Sequence, residues 1–298
     1  MRPELTQAVG LLRSNDPESV EQAIGLLQNT VYSFSMKVCG HREDAEDTMQ
    51  EVLYRSLRHL ARIEEPRALA VWLYTVTRNR CWRMRRTNSH GATHLSLDEL
   101  MPDDAEMSRL LRDPAPGPER HMLKSEEHDI LQQAVLRIPA QLRIVLVLHD
   151  MEDLATEEVA QILHLKPGTV RVRLHRARLS VRKEIARVLE ASVQAEKSAK
   201  LPARTKQRKT QQRPAACREL FSNLSEYLDG RVEPRTCAQI TAHIDACPSC
   251  VAFLRDLRAA IDRCRSLEVD CDPLLLARLR SSLTREYLHL LHQPVPKK

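Results

Sequence analysis

Aromatic residues make up only 3% of this chain, and glycine fills only seven of its 298 positions. Strands draw on aromatic and β-branched side chains, whereas the Leu, Ala, Glu and Arg that dominate here favour helices, so the expected fold class is all-α. No run of 18 apolar residues occurs, which argues against a membrane span. The stretch from Met1 to Asn15 lacks the continuous apolar core of a secretory signal, so a cytoplasmic location is expected. Neither a glycine-rich phosphate loop nor a nucleophile constellation is present, and the chain is not expected to be an enzyme. There are eight cysteines; in a reducing compartment, clustered cysteines suggest metal more than disulfides.

Charge is patterned rather than uniform. The formal net charge is +6, but Lys197 to Arg213 holds seven basic residues and no acidic one, and without it the remainder stands at −1. Local polyanion-binding surfaces follow from such placement more readily than a generally basic protein does.

The most informative stretch runs from Asp153 to Arg178. Val159, Ile162 and Leu163 form one apolar face of a short helix that Thr156 can cap. A turn falls at His164 to Gly168, and Pro167 suits a first helical position. The second helix carries Val170 and Leu174 inward and Arg171, Arg173, Arg176 and Arg178 outward. This is the helix-turn-helix pattern, whose second helix enters the DNA major groove. Arg171 and Arg173 are the expected base contacts, since arginine can hold guanine bidentately.

Upstream, Val20, Ala23, Ile24, Leu27, Val31, Phe34 and Val38 follow at helical spacing. Ala45, Met49, Val52, Leu53, Leu57 and Leu60 make a second apolar stripe. Glu43, Asp44, Glu46, Asp47 and Glu51 surround the opening turns of that helix. Acid there suits the helix dipole, and it also offers a docking surface to a basic partner. Pro66 opens a helix that is apolar almost all round. It ends in Arg78, Arg80, Arg83, Arg85 and Arg86, with Tyr74 and Trp82 nearby. Such groups can neutralise phosphates and stack on unpaired bases; Trp72 is read as core. Asn88 to Glu119 reads as a linker, its first part acidic. Ile130 to Leu148 supplies the core of the helices ahead of the helix-turn-helix.

Cys217 starts a new unit, and Gly230 is a natural helix stop. His243 and Cys247 are four apart and meet on one helix side. Pro248 and Ser249 then turn the chain and bring Cys250 back. Nitrogen and thiolate ligands at this spacing suit tetrahedral zinc. A fourth ligand is needed: Cys217 fits best, while Cys237 shares a face with Ile240 and Ile244 and reads as core. Asp272-Pro273 opens a last helix with Leu275, Leu276, Leu279, Leu283, Tyr287 and Leu290 on one face. The sequence does not choose what covers that face.

The segments DAEDTMQEVLYRSLRHL, AVWLYTVTRNRCWRMRR and IPAQLRIVLVLHDMEDLATEEVAQIL resemble regions 2 and 4 of bacterial sigma factors, nearest to the extracytoplasmic-function group. The unit from Cys217 to about Arg263 is similar to zinc-binding anti-sigma domains. The resemblance implies core RNA polymerase and promoter DNA as partners, with Asp44, Asp47, Gln50 and Glu51 contacting polymerase. It places Arg78, Asn79, Arg80 and Arg83 near the −10 element. The helix from Gly168 to Arg178 falls at the −35 element, with Thr169 among its DNA contacts, Arg171 and Arg173 towards bases and His175, Arg176 and Arg178 towards phosphates. It implies a zinc cofactor on Cys217, His243, Cys247 and Cys250, and an intramolecular contact between zinc domain and sigma domains. The expected organisation is region 2 over 1–87, a linker over 88–120, region 4 over 121–190, a basic linker over 191–216, the zinc unit over 217–265 and an amphipathic helix over 266–298. Two other readings share some of these features. A conventional helix-turn-helix regulator would act as a symmetric dimer, and a metal or redox sensor would use the cysteine cluster as its output.

Overall fold

The computed structural model describes residues 2–14, 16–60, 63–85, 124–196 and 215–292, with the single positions Leu100, Ser108 and Leu111. Most of the linker over 88–119, including LSLDEL apart from Leu100, lies outside the described residues, as does the basic stretch from Lys197 to Arg213. Every regular element among the described residues is helical. They are α1 (Pro3–Arg13), α2 (Pro17–Cys39), α3 (Arg42–Leu60), α4 (Pro66–Arg85), α5 (Lys124–Arg137) and α6 (Ala140–Leu146), which runs into a π-helical turn over Val147–Met151. Then come α7 (Thr156–Leu163), α8 (Pro167–Glu196), α9 (Ala215–Leu228), α10 (Pro234–Ala246), α11 (Pro248–Arg265) and α12 (Pro273–His292). None of them is long and apolar enough to cross a membrane.

The chain divides into two compact units. One comprises Met1–Gly91, Val147–Val170 and Glu268–Lys298; the other comprises Ala92–Leu146 and Arg171–Leu267.

In the first unit α2 is the central element. The Asp16 side chain accepts from the Ser19 N–H at 3.0 Å and caps its start. Gly40, at φ 81°, ends it in the left-handed conformation that glycine takes without penalty. The apolar stripes of α2 and α3 are buried throughout, as their period requires. The last helix, α12, packs on α2 and α3. Leu276, Leu283 and Tyr287 are its buried face. The Gln28 amide donates to the Leu276 carbonyl at 3.3 Å, and Arg42 pairs with Asp272 at 3.4 Å. Gly25, in mid-helix, gives room to Arg280: a Cβ there would meet its guanidinium at 3.0 Å.

In the second unit, Leu179 of α8, Leu220, Phe221 and Leu224 of α9, Ile240 of α10 and Phe253, Leu257 and Ile261 of α11 form one apolar cluster. The rings of Phe221 and Phe253 lie 4.7 Å apart, and the Arg182 guanidinium stacks 4.4 Å above Phe253. Arg182 also pairs with Asp256 at 3.1 Å. Gly230, at φ 66°, follows the end of α9 as expected.

Two local expectations need correction. Thr156 is the first residue of α7 rather than its cap, and it is buried; Ala155 holds the cap position, where its N–H donates to Glu158 at 2.7 Å. Tyr74 is not available for stacking on bases. It is 1% exposed and packs against Phe34, with 5.0 Å between ring centroids.

Candidate functional site

Four ligating atoms converge in the second unit. Cys217 lies in the first turn of α9 and His243 in the last turn of α10; Cys247 joins α10 to α11, and Cys250 follows in the first turn of α11. Pro248 at the first position of α11 makes the return possible. His243 Nε2 is 3.4 Å from Cys217 Sγ and 3.3 Å from Cys250 Sγ, and the two sulfurs are 3.8 Å apart. Zinc bonds of about 2.3 Å to sulfur and 2.0 Å to nitrogen make tetrahedral edges of about 3.8 Å between sulfurs and 3.5 Å from sulfur to nitrogen. The donor set fits that geometry, and all four atoms lie within 4.8 Å of one another. Cys237 stands outside the set and is half-buried. As free thiols the ligands would differ. Burial and the neighbouring thiols push Cys250 far above the usual range. Cys247 is also raised by burial, but the Cys250 backbone N–H and the Cys250 and Cys217 thiols outweigh this and lower it.

The residues expected to face DNA on α8 divide into two groups. Thr169, Arg171 and Arg176 are exposed and Arg173 is half-buried, whereas His175 and Arg178 are buried. Arg178, expected on the outer side, turns inward because 175, 178 and 182 share one helical stripe. Its guanidinium donates to the Ser225 carbonyl at 3.2 Å and to Asp229 at 2.7 Å. His175 Nδ1 lies 3.3 Å from the Ser225 hydroxyl. Burial, and then the charges of Arg178 and Arg176, push its pKa down to about 4, so the ring is neutral.

On α4, Asn79 is exposed, Arg78 donates to the Ile162 carbonyl at 2.9 Å, and Arg80 pairs with Glu51 at 2.7 Å. Arg83 lies in α4, but its side chain, like that of Trp82, is outside the described residues. Trp72 is half-buried beside His59 rather than fully in the core. On α3, Asp47 is exposed and Asp44, Gln50 and Glu51 are half-buried. Asp47, Gln50 and Glu51 line a cleft of about 420 Å³ together with Tyr54, Arg80 and Leu279, Ser282 and Leu283 of α12.

Three family models match this chain: Sigma-70 region 2 over residues 24–90, Sigma-70 region 4 over 128–181, and a zinc-finger family over 217–250. The relatives are named consistently. The ECF RNA polymerase sigma factor SigW of Bacillus subtilis is 24% identical over 200 residues, covering 62% of this chain and 98% of that protein. The ECF RNA polymerase sigma factor SigE of Mycolicibacterium smegmatis is 33% identical over 159 residues, 53% of this chain and 58% of that protein. The chain belongs to the sigma-70 family, in its extracytoplasmic-function group. The RNA polymerase sigma-H factor of Pseudomonas aeruginosa is a further relative, 26% identical over 188 residues, 61% of this chain and 94% of that protein. The protein is thus a promoter-directing sigma factor with regions 2 and 4 in that order.

One feature of the sigma module escaped sequence reading. Glu152, just after the π-helical turn, is 1% exposed and receives three side chains. Lys37 of α2 reaches it at 3.1 Å, Arg2 at 2.8 Å and the Tyr74 hydroxyl of α4 at 2.7 Å. Lys37 itself is fully buried. A lysine in the last turn of α2, set among Phe34, Met36 and Val38, was the available signal, and a cation there also suits the helix dipole. Its partner lies 115 residues on, where no local pattern reaches.

Proposed function

We propose that this sigma factor is restrained by its own C-terminal part, and that the acidic face of α3, the basic end of α4 and the exposed start of α8 are its polymerase, −10 and −35 surfaces. In this reading Asp44, Asp47, Gln50 and Glu51 dock a basic element of core polymerase. Arg78, Asn79, Arg80 and Arg83 meet the −10 strand. Thr169, Arg171 and Arg173 read −35 bases, while His175, Arg176 and Arg178 serve the phosphates. Cys217, His243, Cys247 and Cys250 hold one zinc, which would tie α9 to the α10–α11 hairpin and supply much of the folding energy of so small a unit. The polymerase performs the nucleotidyl transfer.

The observation that supports the restraint is the contact of the appended helices with parts of these surfaces. In the first unit, α12 shares the cleft of Asp47, Gln50 and Glu51. In the second, Ser225 and Asp229 hold His175 and Arg178, and Asp256 holds Arg182. Side chains committed to these partners cannot at the same time serve phosphate, and a cleft shared with α12 leaves less room for a polymerase element. The test is transcription reconstituted with core polymerase, comparing the full chain with one ending at Glu196. Higher promoter-dependent output from the shorter chain at matched concentration and folding supports restraint; equal or lower output makes the C-terminal part an activator or an anchor.

A further inference from the structure

Glu152 lies within the region 4 match, while Lys37 and Tyr74 lie within the region 2 match. All three belong to the same compact unit. We propose that the Glu152 carboxylate, clasped by Lys37, Tyr74 and Arg2, is a latch that holds the sigma module itself in a closed state in which it cannot read a promoter. The latch is separate from the restraint by the appended helices, and it rests on the reading of α4 and α8 as the −10 and −35 surfaces.

The chemistry suits a latch better than a glue. Taking a carboxylate and an ammonium out of water costs several kcal/mol each, and their attraction repays this only in a good, fully bonded geometry. Apolar side chains of similar volume would hold the two elements at least as firmly. What the ionic group adds is selectivity for one arrangement, because a small slip leaves charges buried and unpaired. Here two hydrogen bonds and an ion pair converge on one buried carboxylate. One carboxylate oxygen takes Lys37, and the other takes Tyr74 and Arg2. Arg2 also donates to the Met151 carbonyl at 3.3 Å. The backbone is shaped for the task. The π-helical turn over Val147–Met151 adds a residue to the register, the Glu152 N–H donates to the Val147 carbonyl at 2.9 Å, and Asp153 follows in the left-handed region at φ 54°.

A second fastening lies one helix further on, where Arg78 donates to the Ile162 carbonyl near the C-terminal end of α7. This uses an arginine assigned to the −10 strand. It also fixes a distance. Thr169 is seven residues beyond Ile162, so an extended chain could carry it no more than about 25 Å away. Elements centred 25 base pairs apart are about 85 Å distant along straight B-DNA, at ~3.4 Å per pair. The closed unit therefore cannot serve both elements at once. Promoter reading requires the latch to open.

The test uses the full chain carrying a pair of distance labels at Arg67 on α4 and Glu157 on α7, attached through a handle other than cysteine. The native chain should give one short distance. Glu152→Gln leaves Lys37 unpaired and should shift the closed–open balance by roughly a hundredfold, adding a long-distance population. Tyr74→Phe should give a smaller shift. The double variant Lys37→Met with Glu152→Met keeps the volume without the charges; it should fold with native helicity and keep the short distance, because no buried charge is left unpaired. If Glu152→Gln, folded, keeps the native distance distribution, or if the double variant opens as far as Glu152→Gln does, the latch is wrong. Transcription with core polymerase separates the two readings. Open variants that gain promoter-dependent output uphold both, and open variants that gain none overturn the promoter assignment while the measured distances uphold the latch.

Discussion

A histidine held neutral among arginines makes stability depend on pH with a definite sign. His175 titrates near 6.5 when unfolded but is pushed down to about 4 in the fold. The contribution is complete above pH 6.5, declines as pH falls towards 4 and changes no further below that, amounting to at most about 3 kcal/mol. The groups facing it are Ser225, Arg178 and Arg176. Thermal unfolding between pH 7.5 and 4.5 should show a steeper fall for the native chain than for His175→Gln; parallel curves would place the titration elsewhere. At the same scale, Cys217→Ser should remove a ligand whose sulfur stands 3.4 Å from His243. Metal analysis should give one zinc per native chain and less than one after the substitution, with a lower melting temperature. Full retention would pass the fourth position to another group.

Among the elements, amphipathic period and ligand spacing were what sequence could show. The stripes of α2 and α3 state that they are buried, since an apolar face every three or four residues has to be covered. The His-x3-Cys-x2-Cys spacing closes within one helical turn and a proline corner, so His243, Cys247 and Cys250 could be brought together from sequence, with Cys217 only the best fit for the fourth position. What stayed hidden depends on distant residues. An apolar face on α12 says that something covers it, not that α2 and α3 do. Arg178 and Tyr74 look like surface groups because arginine and tyrosine usually keep their polar ends in water. Each is buried because one partner far along the chain, Asp229 or Glu152, satisfies it. The exposed start of α8 keeps its sequence-level prediction. Arg171→Ala or Arg173→Ala should cost about 1–3 kcal/mol at one base pair and relax preference there. A promoter-variant binding series with identical preferences would remove the reading role. On α3, reversing Asp47 and Glu51 to Lys should weaken capture of core polymerase at low salt while helicity stays native; unchanged capture would detach the acidic face from docking.

For the whole molecule, deletion of Pro214 to Lys298 is the decisive change, because it removes α9 to α12 together. Promoter-dependent transcription should rise, and Cys247→Ser should act in the same direction if zinc maintains the restraint. A fall on deletion would mean that α12 is needed to support α2 and α3, which it contacts through Gln28 and Arg42. In that case the single substitution Arg280→Ala, which loosens α12 beside Gly25 without deleting it, should lower thermal stability rather than raise output.

The helix that shares a cleft with Asp47 and Glu51 is encoded in the same chain as those acids, which has an arithmetic consequence. A repressor supplied by a separate gene can be outnumbered, so its target stays silent up to a threshold dose and then responds abruptly. If the C-terminal part restrains the sigma module, every copy arrives with its repressor already attached, in a ratio that synthesis, degradation and dilution leave at one to one. Response to expression level should then be graded from the first molecules, without a threshold. A reporter read against stepwise induction should give a straight line through the origin, with a slope that C-terminal deletion raises and an intercept that it leaves unchanged.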